Sequence, residues 1–115
     1  MVNRTVVGAH YGLKDWLIQR VTAVLIVVYT FIVAGLLFTR LPLDYDGWRS
    51  LFVPQWFRII TLMFLLAVFW HAWIGMRDIL MDYIKPTGIR LGLQVLVVLA
   101  LVAYSFWSMM ILWSL

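Results

Sequence analysis

Three long apolar runs divide the chain. The first, Trp16 to Phe38, reads WLIQRVTAVLIVVYTFIVAGLLF. The second extends from about Arg58 to Gly75 or Met76, and the third from Leu91 to Leu115. Between them the pattern breaks. Residues 39–57 hold Pro42, Gly47, Pro54 and the pair Asp44/Asp46, while residues 77–90 hold Arg77, Asp78, Asp82, Lys85 and Pro86. A helix needs ~20 residues to cross a hydrocarbon core of about 30 Å, and each run comes close to or exceeds that length. The pattern predicts three transmembrane helices in one domain, over about 16–38, 58–76 and 91–114. Residues 1–15 show no strong periodicity and read as a short mixed tail. Residues 39–57 read as a loop, with Trp48, Trp56 and Phe57 suited to an interfacial belt.

Composition turns this pattern into a class. Of the 115 residues, 65% are hydrophobic and only 12% are charged, with a mean hydropathy of +1.00. A soluble domain of this size has no interior large enough for that apolar surface. An all-α integral membrane protein follows. No cleavable signal peptide is expected, because the first twelve residues contain polar and charged groups and no apolar core. The absence of cysteine excludes a disulfide, a thiolate-ligated haem and an iron–sulfur cluster ligated by this chain.

The net charge of +4 does not point to nucleic acid, since the basic residues flank the apolar runs and act there as topology signals. Arg4, Lys14, Arg20, Arg77, Lys85 and Arg90 fall on one side; Arg40, Arg49 and Arg58 fall on the other. Six against three predicts a cytoplasmic N-terminus and an external C-terminus.

Within the second run stands the only histidine found in an apolar segment, His71. An ionisable side chain in hydrocarbon is costly and faces protein, water or a cofactor. A neutral imidazole is also a common ligand of haem iron. The plainer reading is an interhelical hydrogen bond. A helix advances about 100° per residue, so an unbroken helix places His71, Gly75, Asp78 and Asp82 on one stripe. Gly75 leaves room there for a flat macrocycle or a neighbouring helix, and Phe69, Trp70 and Trp73 surround the position with large rings. A bis-histidine haem would need its second axial ligand from another chain.

Asp82 and Tyr83 form a second candidate pair, ahead of Lys85-Pro86, where proline disfavours helical geometry in the preceding residue. A phenol O–H is a good donor to a carbonyl oxygen, and an adjacent carboxylate can orient a water or a basic partner. The plainer reading is an interfacial tyrosine beside a solvated aspartate. Arg20 reads first as a side chain snorkelling to the headgroups. In the third run Gln94, Tyr104, Ser105 and Ser108 read as contacts between helices.

The run HAWIGMRDILMDYIKPTGIR, His71 to Arg90, resembles the hydrophobic membrane anchor subunit of bacterial succinate dehydrogenase, respiratory complex II. DWLIQRVTA, Asp15 to Ala23, resembles that family's start of the first span, and the likeness covers nearly the whole chain. It implies three spans within a heteromeric helix bundle of the bacterial inner membrane, with the C-terminus periplasmic. The implied partners are a cytochrome b membrane subunit, an iron–sulfur subunit and a flavoprotein subunit, besides membrane lipid. By this likeness His71 is the axial ligand that this subunit gives to haem b, the cytochrome b subunit supplying the other. Tyr83 is the donor to a ubiquinone carbonyl and Asp82 its supporting neighbour. Arg20 is a candidate for a haem propionate or the pocket wall. Some members carry a histidine just before the aspartate of the first motif, where this chain has Lys14; His10 lies four residues earlier.

Three other readings stand beside this one. They are a fumarate reductase-type anchor, a small proton-translocating transporter subunit with His71 as relay, and an anchor without haem.

Overall fold

A computed structural model describes the backbone from Val2 to Ser114 and the side chains from Gly12 to Ser114. The described residues form four helices: α1 (Val2–Phe38), α2 (Tyr45–Leu51), α3 (Gln55–Tyr83) and α4 (Thr87–Trp113). No strand occurs among the described residues. Three of the helices, α1 from Gly12, α3 and α4, are long and apolar enough to cross a membrane. The protein is a multi-pass helical membrane protein, as its pattern predicts.

The helices run longer than the apolar runs that mark them. The N-terminal segment read as a tail is helical from Val2. The side chains of Arg4 and His10 lie outside the described residues. Prolines set the starts of α3 and α4. Pro54 (φ −64°, ψ 131°) and Pro86 (φ −64°, ψ 124°) are extended and stand just before the first helical residue. There their missing N–H costs no helical bond. At the other end of α3, Ile84 is extended, and its N–H donates to the Leu80 carbonyl.

The loop at 39–57 contains a helix the pattern did not predict. Asp44, read as a breaker, is the N-cap of α2: its carboxylate accepts from Gly47 N at 2.8 Å, the usual way of satisfying a free N–H in a first turn. Asp46 in the first turn and Arg49 in the last suit the helix dipole.

α3 is the central element. It packs against both α1 and α4. An ion pair between Asp15 and Arg77 sets the beginning of the first apolar run, within α1, beside the last two turns of α3. Arg58 reaches the Leu112 carbonyl at 3.5 Å and lies over the Trp113 ring, setting the start of α3 beside the end of α4. The three long helices are therefore antiparallel in sequence order, with the termini at opposite ends. The buried residues lie mostly on α3, at Phe57, Thr61, Ala67, Ile74 and Leu80. The flanks of α1 and α4 are apolar and exposed; Phe31 is 73% and Met110 71% accessible. Exposure of that kind is expected where lipid or another apolar chain is the solvent.

Candidate functional site

The candidate site lies on the seam between α1 and α3. Asp15, Thr22 and Tyr29 recur every seven residues, and each meets a polar group of α3. Seven residues are nearly two turns, so the three form one line along α1. At one end Asp15 pairs with Arg77, whose second carboxylate neighbour is Asp78 at 3.7 Å. In the middle Thr22 Oγ1 stands 3.0 Å from His71 Nδ1. At the other end Tyr29 Oη and Thr61 Oγ1 are 2.7 Å apart, and the Tyr29 ring stacks on Phe64 at 4.1 Å between centroids.

His71 is thus held by one ring nitrogen from the neighbouring helix. Nε2 has no hydrogen-bond partner among the described residues, and it is not one of their buried unpartnered side-chain atoms, which are Gln19 Oε1, Arg58 Nε and Arg77 Nε. One turn along α3, an ideal Cβ built on Gly75 meets nothing within 4 Å. Above this, Lys14, Asp15, Trp70, Trp73, Arg77 and Asp78 help line an open groove of about 560 Å³.

α3 is unbroken from His71 to Tyr83, so His71, Gly75, Asp78 and Asp82 do share one helix without interruption. The structure does not bring the predicted residues into one cluster. Asp82 is exposed, and Tyr83, the last residue of α3, is 78% accessible. Neither makes a side-chain hydrogen bond or ion pair among the described residues. Arg20 is exposed and lies over the Trp16 ring at 5.2 Å, an arrangement consistent with a cation at the apolar boundary.

The residues that pattern reading missed are Thr22 as the partner of His71, the Asp15–Arg77 pair, and Tyr29 with Thr61. The seven-residue recurrence was the available signal. Of the four polar residues of the third run, Tyr104 does meet another helix, at Phe69 of α3. The two serines behave otherwise than expected: Ser105 donates to Leu101 O at 2.8 Å and Ser108 to Tyr104 O at 2.7 Å, both within α4. The two serine hydroxyls are turned to their own helix and join it to no other among the described residues.

What the donor set can hold is clear from its size. No group of three or more His, Asp or Glu among the described residues is placed to hold a metal ion. A haem asks less of one chain, because the macrocycle supplies four nitrogens and a subunit need add only one axial donor. A tethered imidazole with a free Nε2, beside a glycine with open space, fits that demand.

An antiparallel set of three membrane helices, with an imidazole as the one histidine on its central helix, defines an integral membrane subunit of the all-α class. The particular kind follows from its relatives. Residues 2–107 match the succinate dehydrogenase/fumarate reductase transmembrane subunit family, and the chain belongs to that family. It is also 42% identical over 113 residues to the succinate dehydrogenase hydrophobic membrane anchor subunit of Coxiella burnetii, covering 98% of this chain and 96% of the relative. The chain is accordingly a membrane anchor of the succinate dehydrogenase kind and works in a complex with other subunits of that enzyme.

Proposed function

We propose that this anchor holds the flavoprotein and iron–sulfur subunits on the bacterial inner membrane, shares haem b with the cytochrome b subunit through His71, and forms part of the ubiquinone-reduction site. The observation that carries the reading is the state of His71: tethered from α1 through Nδ1, with Nε2 unpartnered among the described residues and Gly75 leaving space on the same helix. Family membership displaces the transporter alternative. The direction of the overall reaction is set by cofactor potentials in the other chains.

On this reading succinate is oxidised at a flavin in a soluble subunit, and electrons pass through the iron–sulfur subunit to ubiquinone. Haem b, when bound, supplies a one-electron exchange at its iron. The residues of this chain do the holding. His71 presents Nε2, Gly75 keeps the adjoining surface clear, and Arg20 is a cation available to a propionate or the pocket wall. Tyr83 donates its O–H to a quinone carbonyl oxygen, where a positioned donor stabilises charge that develops on reduction. Asp82 orients a water or a basic residue of a partner. The exposure of Tyr83 and Asp82 supports a site completed by other chains, and the six-to-three bias of basic residues supports a cytoplasmic end for it.

His71→Leu in the assembled complex should displace the reduced-minus-oxidised haem spectrum or lower haem content. Wild-type spectrum and content in that variant would remove the ligand assignment. Tyr83→Phe deletes only the donor. Loss of a hydrogen bond of about 0.5–1.5 kcal/mol, strengthened in the transition state, should lower quinone reduction roughly tenfold. Dye-linked succinate oxidation should survive. Unchanged quinone reduction in an assembled Tyr83→Phe complex would make the residue an interface aromatic.

A further inference from the structure

We infer that Thr22 is a positioning residue that fixes the tautomer of His71, and so decides which ring nitrogen is available to a metal. The inference rests on the haem reading above and adds to it a residue that acts through the ligand.

A threonine hydroxyl has one hydrogen and two lone pairs. Thr22 Oγ1 lies 2.7 Å from the Ile18 carbonyl and 3.2 Å from the Gln19 carbonyl of its own helix. A carbonyl oxygen only accepts, so the hydroxyl hydrogen is directed at that pair. His71 Nδ1, 3.0 Å from the same oxygen, must then be the donor. The imidazole is then protonated on Nδ1, and its lone pair sits on Nε2, the nitrogen left without a partner among the described residues.

The opposite tautomer is disfavoured on two counts. The hydroxyl would have to turn from the two carbonyls to Nδ1, and Nε2 would carry an N–H with no acceptor among the described residues. Thr22 is buried, 8% exposed, which limits the access of water to the pair. Its branched side chain has few rotamers in a helix, one of them fixed by the bond to the carbonyl four residues back. The acceptor is thus rigid as well as buried. A hydrogen bond accepted from the distal N–H of a ligating histidine orients the ring and raises the basicity of the other nitrogen. A more basic donor favours ferric over ferrous iron.

The test uses the assembled complex in membranes, with Thr22→Val and Thr22→Ser measured beside His71→Leu. Valine keeps the shape and deletes the acceptor; serine restores it. Outer-shell partners of this kind change metal affinity or activity roughly 10–100-fold; with the lower end of that range falling on the ferric form, loss of the acceptor should cut the ferric preference of the site by about tenfold. That is an upward displacement of about 59 mV in the haem midpoint potential. Thr22→Ser should return the potential most of the way to wild type. Equal displacement in the valine and serine variants would show that packing and not the hydroxyl matters, and would overturn the inference. So would a wild-type potential in Thr22→Val. If Thr22→Val does not assemble, Thr22→Ala is read in the same way. Failure of both while Thr22→Ser assembles would make the hydroxyl a requirement of assembly and would also overturn it. The two readings fail differently. A haem unaffected by His71→Leu sinks both, whereas a haem altered by His71→Leu but indifferent to Thr22→Val sinks only the role of Thr22.

Discussion

The two seams of α3 are built on different principles. Toward α1, three polar contacts stand in line, from Asp15–Arg77 through Thr22–His71 to Tyr29–Thr61. Toward α4, the contact is chiefly apolar. Phe69 and Tyr104 meet at 6.2 Å between ring centroids, and Leu66, Val98, Leu101 and Val102 help line an open groove of about 460 Å³. The one buried residue of α4 is Leu112. In a bilayer, lipid tails are as apolar as leucine, so apolar contact alone says little about register. Directional bonds fix the α1 seam at three heights. The α4 seam is set by shape, with Arg58 at one end.

The contrast can be broken at graded cost. The largest effect is expected from Ile74→Ala, since Ile74 is 2% exposed and beside the α1 groove. Truncation should cost about 2 kcal/mol, the low end for buried isoleucine to alanine, read as a fall in the thermal stability of the complex. Next, a double-mutant cycle on Asp15→Asn and Arg77→Met should give a coupling of about 0.5–1 kcal/mol. Both side chains are partly exposed, which screens their attraction. A cycle on Tyr29→Phe and Thr61→Val should give about 0.6 kcal/mol, the mean for polar contacts between membrane helices; the ring stack on Phe64 survives both changes. Smallest of all, Ser105→Ala and Ser108→Ala should stay within about 0.5 kcal/mol of wild type, because their bonds are internal to α4. A large loss in either serine variant would erase the distinction between the seams.

What was legible in the sequence depended on range. Apolar length alone announces three spans, because nothing but a membrane suits such runs. His71 stands out for the same reason: a lone imidazole among apolar neighbours is visible without a partner. Its partner is not. Thr22 lies 49 residues away, and a threonine in a helix usually bonds only its own backbone, as Thr30 does here. Asp44 misleads in another way, since the residue that breaks one helix pattern also caps the next helix. The serines of α4 were read as joining helices because composition shows a polar group but not the direction of its hydrogen.

The polar line on the α1 seam has a consequence in time. All six of its members lie between residues 15 and 77. A chain made from its N-terminus therefore delivers both sides of that seam before any residue of α4 exists. The imidazole can thus meet its threonine before the last helix, bound by shape, has anything to pack against, which leaves that helix free to adjust to the neighbours the assembled enzyme provides.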